Sequence, residues 1–364
     1  MNKLKKIGLT ALAGSLAAVS ANAGELSVSG SYNLTYSTQT GDTGTATTDH
    51  GIGIGHDRDF QVSGSGELDN GWSVAGYTLT KDDLTVSSSN IALTMGSMGT
   101  VSVGHGTGGI STGYDVQTPT AYEEIDDGGA TSLSANFVGS WADNNSLVYS
   151  APAMSAGDFT INLGIEYSPE ASGTSPADGG ITSSTEYNNG YGVGVKATGM
   201  GLTVGVYGAT REEDDASKVN MTAGSDTFEG VWYANYSMGP VSIGYSQSYY
   251  DLGENAADIA KTTPKTVGSA AGVFEAETYS IAFNVNDNLS LSYAKAEDTY
   301  DAQAAGSEAA TVINDVTMDM KSIQAAYSMG SMSIKAYRTE TDNVGYATNG
   351  GSLTVNEIAL GLSF

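Results

Sequence analysis

The sequence predicts an all-β fold in which 16 antiparallel strands close into a transmembrane β-barrel. Three features of the chain support this prediction. Apolar and polar residues alternate over most of its 364 residues, short turns recur seven times, and a longer polar segment lies between successive turns. A period of two held over so much of the chain is typical of β-strands and argues against a disordered polypeptide.

Three of the short turns share a Met-Gly signature that is followed by alternating apolar and hydroxyl residues. The unit occurs at Met98–Val103, Met238–Ile243 and Met329–Ile334. Glycine supplies the backbone freedom that a tight turn needs, and the alternation after it predicts a strand with one apolar face. Four looser turns precede other alternating runs, at residues 69–71, 156–158, 199–201 and 286–288.

The alternation places apolar side chains on one face of each strand and small polar side chains on the other. In the first strand, Leu26, Val28 and Tyr32 alternate with residues such as Ser27 and Ser29. A β-sandwich would have to pack its inner faces, and small hydroxyl residues cannot fill such a core. A barrel sets the apolar face against lipid and the polar face against water, and its closure leaves no unpaired strand edge.

The number of strands follows from the connections. Seven short turns alternate with eight longer connections, and together they join 16 strands. Strands of about 10 residues are long enough to cross the membrane. The longer connections centre near residues 41–49, 81–83, 106–144, 171–186, 212–225, 254–272, 302–315 and 345–351.

Two stretches break the alternation. Val74 conflicts in parity with Tyr77 and Leu79, and Leu353 conflicts with Ile358 near the end of the chain. An extra residue in one strand shifts the parity of everything after it. We therefore interpret both conflicts as β-bulges or displaced strand ends.

The first residues predict an export signal. Three lysines within the first six residues precede an apolar stretch at residues 7–19 and a small-residue cleavage site at residues 21–23. We divide the chain into a signal peptide, residues 1–23, and a transmembrane barrel domain, residues 24–364. No later segment approaches the roughly 18 apolar residues of a transmembrane helix, which excludes a helical membrane protein.

The composition is acidic and lacks cysteine. The chain has 41 acidic and 14 basic residues, a formal net charge of −27 and no Cys. Nucleic acid is therefore excluded as a partner, and the fold uses neither disulfides nor thiolate metal sites. An acidic non-channel surface or adhesion protein is the alternative from another functional class.

The end of the chain carries a family resemblance. Ile358, Leu360 and Leu362 alternate with small residues before a terminal Phe364. This ending resembles the last strand of Gram-negative outer-membrane barrels, and the whole mature chain resembles a general diffusion porin, a sixteen-stranded trimeric outer-membrane family. The resemblance implies an outer-membrane homotrimer in contact with lipid and lipopolysaccharide, whose terminal aromatic residue is an assembly signal for the barrel-assembly machinery.

The resemblance also implies a function and a site. The expected function is passive diffusion of small hydrophilic solutes and ions through a water-filled channel, with no reaction catalysed. The third loop, from about Gly106 to Asn144, is expected to fold into the lumen and form the constriction, with short turns on the periplasmic side and long loops outside. The loop contains no Lys or Arg. Five of its acids are expected at the constriction: Asp115, Glu123, Glu124, Asp126 and Asp127.

Parity on the second strand adds acids to the pore wall. Because Phe60 and Val62 face lipid, Asp57, Asp59 and Gln61 face the lumen. Relatives often carry basic residues on this wall and after the third loop, where this chain has Ser140. Arg58 points outward or towards a neighbouring subunit. An unopposed set of carboxylates concentrates cations, so the sequence predicts a cation-preferring pore, whereas solvated loop acids would only aid solubility.

Other motifs give weaker indications. Loop carboxylates such as Glu212 to Asp215, and the pair Glu297 and Asp298, offer at most a weak Ca²⁺ site, and we expect no cofactor and no structural metal. The run from Gly104 to Gly109 is interpreted as a flexible bend before the third loop. A substrate-selective channel would be favoured by a row of lumen aromatics, for which Tyr207 is thin support.

Overall fold

The structure is a computed structural model of the chain. It describes residues 23–42, 48–81, 84–128, 131–144, 146–171, 187–213, 226–251, 273–301, 315–346 and 351–364. The proposed signal peptide lies outside these residues, apart from Ala23, where the first strand begins. In the described part, no helix is long and apolar enough to cross a membrane.

Strands make up most of the described chain. They are β1 Ala23–Asp42, β2 Thr48–Glu67, β3 Ser73–Thr80, β4 Val86–Thr94, β5 Thr100–His105, β6 Leu147–Ser150, β7 Met154–Ala156, β8 Phe159–Ser168, β9 Tyr187–Gly199, β10 Leu202–Glu213, β11 Phe228–Met238, β12 Val241–Asp251, β13 Val273–Asn286, β14 Leu289–Asp301, β15 Val316–Met329, β16 Met332–Asp342 and β17 Ser352–Ser363. Short 3₁₀ turns lie at Gly96–Met98, Ser111–Gly113, Ser134–Phe137, Ser140–Asp143 and Val344–Tyr346.

The strands close into one antiparallel barrel. The first strand pairs with β2 on one side and with β17 on the other, and the ring closes where Gly30 and Phe364 exchange two backbone hydrogen bonds of 3.0 Å. Both β6 and β7 pair with β8, at different heights, so they are two pieces of one barrel strand. The predicted barrel of 16 strands is therefore confirmed.

The outer face of the barrel is apolar because every second residue points towards lipid. Large apolar side chains such as Leu34, Ile54 and Ile281 are exposed on this face. Their neighbours in sequence point into the barrel, where small polar side chains dominate β1 to β5. The register places Tyr32 opposite Arg58 on the outer face and Asn33 opposite Asp57 on the inner face.

The two parity conflicts are not bulges, and our interpretation of them was wrong. β3 pairs with β2 without a shift from Phe60–Thr80 to Glu67–Ser73, so Tyr77 and Leu79 face the lumen. β17 pairs with β1 without a shift too, and Leu353 is an inward side chain that is 1% exposed. Backbone pairing fixes which way a residue points, and an inward position accepts an apolar side chain wherever protein covers it.

The seven predicted short turns all lie at one rim, between β2 and β3, β4 and β5, and so on to β15 and β16. In the Met-Gly turns, Gly239 and Gly330 have φ of 59° and 60°, a left-handed conformation that glycine adopts without strain. At the opposite rim, the first connection, residues 43–47, is shorter than predicted, whereas the second, residues 81–85, is about as short as predicted. The segment 106–146 between β5 and β6, here called the inner loop, is much longer.

Candidate functional site

The inner loop lies inside the barrel. Its backbone N–H groups donate hydrogen bonds to inward side chains of separate strands: Ile110 to Glu166 of β8 at 2.6 Å, Gly139 to Glu229 of β11 at 2.7 Å, Ser134 to Asp298 of β14 at 2.5 Å, and Tyr122 to Gln324 of β15 at 2.9 Å. Only a segment within the lumen reaches the same face of all these strands. The wall carboxylates satisfy loop N–H groups that have no strand partner.

An aromatic core fills the space between the inner loop and this side of the wall. Its wall members are buried inward residues of successive strands: Tyr207, Tyr233, Tyr250, Phe274 and Tyr300. The loop contributes Trp141, Ile125 and Leu133, each at most 2% exposed. A row of aromatics at lumen parity therefore exists, but it is packed beneath the loop. These rings offer passing solutes no contact surface, so they do not favour a substrate-selective channel.

The five predicted constriction acids of the inner loop lie between residues 115 and 127 and differ in their exposure. Asp127 is exposed, while Asp115, Glu123 and Glu124 are half-buried. Asp126 is only 4% exposed, and its Oδ2 accepts the Leu133 N–H at 2.7 Å.

Burial and mutual repulsion hold protons on these acids. Burial, followed by repulsion from Asp115 and Asp126, raises the pKa of Glu124 to about 8. Burial raises the pKa of Asp126 to about 7, even though the hydrogen bond from Leu133 acts in the opposite direction. Burial also raises the pKa of Asp115 and of Glu123, with the charge of Asp127 adding to both. The negative charge of this stretch therefore grows as pH rises through neutrality.

Lys335 faces the same stretch and was missed by the sequence analysis. Its Nζ lies 4.7 Å from the ring centroid of Tyr122, and it acts to lower the pKa of Glu123. We had expected these acids to face no basic residue, and Lys335 shows that this expectation was wrong. Parity would have found this residue, since Ile334 faces lipid and the next side chain must point inward.

The two predicted wall acids, Asp57 and Asp59, both lie on β2. Asp57, Asp59 and Gln61 pair across β2 and β1 with Asn33, Ser31 and Ser29, all on the inner face. The Ser31 hydroxyl donates to Asp59 Oδ2 at 3.4 Å.

A further inward carboxylate, Glu357 of β17, was also missed. It accepts hydrogen bonds from the Ser37 hydroxyl at 2.8 Å and from the Tyr122 hydroxyl at 3.1 Å. It therefore joins the tip of the inner loop to the acidic side of the wall. Its parity was obscured in sequence by the apolar residues Leu353 and Val355, which share the inward face of β17.

The remaining candidate residues take other positions. Phe364 points outward, 69% exposed, with its ring stacked on Tyr32 at 5.8 Å between centroids. Glu297 and Asp298 lie on opposite faces of β14: the first pairs with Lys295, and the second is buried under Ser134. They cannot share a Ca²⁺ ion. Among the described residues, no group of three or more potential ligands could hold a metal; residues 214–215 are outside them.

A closed barrel with an apolar outer belt, and an interior narrowed by an inserted loop, defines an outer-membrane diffusion channel. The sequence matches a family described as Gram-negative porin over residues 8–363. The chain therefore belongs to the Gram-negative porin family and is a multi-pass protein of the outer membrane. Porins of this family are channels and not enzymes. No curated protein matches the sequence.

Several solved structures share the fold. Salmonella typhi OmpF in complex with daunomycin has a TM-score of 0.64 at 12% identity, covering 93% of this chain and 97% of that chain. A refined porin structure has a TM-score of 0.59 at 17% identity, covering 93% and 100%. An anion-selective porin from Comamonas acidovorans has a TM-score of 0.60 at 12% identity, covering 93% and 99%. At such identities the likeness shows the fold alone, and ion preference has to be argued from this chain's residues.

Proposed function

We propose that the protein is a homotrimeric porin whose pores pass small hydrophilic solutes and prefer cations. In each pore, the constriction lies between the acids of the inner loop, Asp115 and Glu123 to Asp127, and the wall of β1 and β2 with Asp57 and Asp59. Gln61 is a neutral member of that wall. The protein catalyses no reaction.

The balance of charge on the inner face carries this proposal. Among the described strand residues, three basic side chains have inward parity: Lys196, Arg211 and Lys335. Arg211 lies 3.7 Å from the fully buried Glu229, which offsets its charge. Carboxylates on both the loop and the wall therefore outnumber the opposing cations. In a narrow opening with low-dielectric walls, such an excess focuses negative potential and raises the local concentration of cations.

Reversal potentials test the ion preference. Purified protein in a planar bilayer under a KCl gradient is expected to give a potential of the sign that K⁺ permeation produces. The variant Asp57→Asn/Asp59→Asn is expected to move the potential towards zero. Glu275→Gln, which removes an acid from the outer face of β13, serves as the matched control and is expected to leave the potential unchanged. A preference for Cl⁻ in the unaltered protein contradicts the proposal.

The outer face of β2 supports the homotrimer. Arg58 and His56 point outward beside Tyr32 and Leu34, within an otherwise apolar surface. An arginine facing lipid near the bilayer midplane is destabilising by roughly 2–4 kcal/mol. A neighbouring subunit packed on this face would separate the guanidinium from lipid. Native mass spectrometry of detergent-extracted protein is expected to show three chains, and a monomer would contradict this part of the proposal.

The position of Phe364 supports its proposed role as an assembly signal. Phe364 is exposed on the outer face beside the pairing of β1 with β17, the first and last strands of the chain, which closes the barrel. Deleting Phe364 is expected to lower the amount of folded protein in the outer membrane severalfold, whereas refolding of the purified variant in detergent proceeds. Normal accumulation of the truncated protein would exclude this role.

A further inference from the structure

The inner loop rests against three inward-facing glycines of one strand. Gly190, Gly192 and Gly194 alternate along β9, and Gly194 pairs with the inward Tyr207 of β10. All three are buried. We call this set of three residues the glycine groove.

Rings fill the positions that side chains would otherwise take. A Cβ atom on Gly190 would lie 2.6 Å from the Trp141 ring, and one on Gly194 would lie 2.6 Å from the Tyr114 ring. A Cβ on Gly192 would lie 2.6 Å from the Tyr207 hydroxyl. Cβ atoms do not approach other heavy atoms so closely in well-packed interiors. Any larger residue in the groove must therefore displace a ring.

Two of these rings belong to the inner loop, one near each of its ends. Tyr114 directly precedes the first constriction acid, Asp115, and Trp141 precedes the return to β6. Tyr114 also packs on Tyr207 and Tyr233, with centroids 5.6 and 6.2 Å apart. Displacement of the Tyr114 ring therefore moves the backbone that carries Asp115.

The surrounding contacts leave the loop one direction in which to move. Glu166 accepts both the Ile110 N–H at 2.6 Å and the Tyr207 hydroxyl at 2.5 Å, while Glu229 accepts the Gly139 N–H. These bonds resist sliding along the wall, and the wall blocks movement outward. A loop pushed off the groove therefore moves towards the open side of the lumen.

We propose that the glycine groove sets the bore of the channel, by fixing how deeply the inner loop sits against β9. This inference rests on the proposed channel function and deepens it. Gly190, Gly192 and Gly194 are then positioning residues that determine solute size without touching the solute. Each carbon added there narrows the passage between the loop and the wall of β1 and β2.

Single-channel conductance tests the proposal. Gly194→Ala and Gly194→Val are expected to lower conductance in steps, with the valine giving a roughly twofold loss. Because the clash at Gly194 is with Tyr114, the double variant Gly194→Ala/Tyr114→Leu is expected to recover wild-type conductance. Gly64→Ala, on the outer face of β2 with nothing within 4 Å of its Cβ position, is the matched control and is expected to change nothing.

A second variant covers the case in which a groove variant fails to fold. Tyr114→Leu alone removes the ring that spaces the loop from β9, and conductance is expected to rise above that of the wild type. Insertion-competent Gly194 variants with unchanged conductance, or an unchanged Tyr114→Leu channel, overturn the proposal. Failure of the wild-type protein to form channels would instead overturn the proposed function.

Discussion

The two sides of the lumen follow the same strand parity but have opposite character. On β8 to β16 the inward face is covered by the inner loop and forms a dry core of aromatic rings and buried carboxylates. On β1 to β4 the inward face carries small hydroxyl residues with Asp57 and Asp59. The comparison shows that inward parity alone does not make a residue part of a pore: the position of the inner loop decides which half of the wall is a core and which half is exposed to water.

The largest expected difference between the two sides concerns aromatic side chains. Phe274 is fully buried and packs against Tyr300 and Tyr346, with centroids 5.0 and 5.2 Å apart. Phe274→Ala is expected to destabilise the barrel by about 3–5 kcal/mol, since it leaves a cavity. Tyr77→Ala, on the inner face of β3, is expected to have less than half that effect. Denaturant unfolding in detergent measures both, and equal losses would contradict the division into core and wall.

Removal of a buried carboxylate and removal of a water-exposed one are expected to differ almost as much in their effect on stability. Asp298 accepts two hydrogen bonds from Ser134, from its N–H at 2.5 Å and its hydroxyl at 3.0 Å. Asp298→Ala leaves both donors buried without a partner, so we expect a loss of roughly 3 kcal/mol. Asp57→Ala is expected to change stability by less than about 1 kcal/mol. The same unfolding measurement decides between them, and a neutral Asp298→Ala would show that this side is not tightly packed.

The pH dependence of ion preference comes from the inner loop. Glu124 and Asp126, with pKa raised to about 8 and about 7, are protonated at acidic pH and ionised in alkaline solution. Cation preference is therefore expected to rise between about pH 6 and pH 9. Glu124→Gln is expected to flatten the upper part of the curve in reversal-potential measurements. A preference that falls as pH rises would contradict this assignment.

The same shift has a consequence for stability. Because the folded pKa of Glu124 lies above its unfolded value, the unfolded chain ionises first as pH rises. The contribution of protonated Glu124 to the free energy of unfolding is therefore complete below about pH 4 and is lost as pH rises to about 8. Glu124→Gln is expected to reduce this loss, as thermal unfolding at several pH values would show. An identical pH profile in the variant would exclude Glu124 as its source.

The smallest expected effect concerns Lys335, which lies near the constriction acids. Lys335→Met removes the cation that faces Glu123, so cation preference is expected to rise, by less than about twofold because neighbouring acids then hold protons more tightly. Lys321→Met removes a lysine from the outer face of β15 and is the matched control. An equal response from both variants would indicate a general change of charge and not a local one.

The sequence was sufficient for features that depend on local periodicity. The seven short turns and the connections between them predicted the strand number. The parity of Phe60 and Val62 predicted that Asp57 lies on the inner face, where the register of β1 and β2 places it. The contacts of the inner loop were not predictable. Glu166 and Ile110 are 56 residues apart and meet only because the loop folds back into the lumen.

The half of the wall that the inner loop covers could not be predicted from the sequence for the same reason. The sequence around Gly190 and Gly194 gives no sign of the aromatic rings that pack against them in the structure. The inward orientation of Tyr77 and Leu353 was not predicted, because apolar side chains were expected to face lipid. On an inner face partly covered by protein, apolarity and orientation are independent.

Thiol accessibility tests the contrast between the two sides most directly, because the natural chain contains no cysteine. Ser29 of β1 and Ser322 of β15 are both inward serines, but Ser29 is exposed and Ser322 is 0% exposed beneath the inner loop. We expect a water-soluble thiol reagent to modify Ser29→Cys and reduce its channel current, while Ser322→Cys stays unmodified in the folded protein. Rapid modification of Ser322→Cys, or protection of Ser29→Cys, would contradict the division of the lumen into a covered core and a water-exposed pore wall.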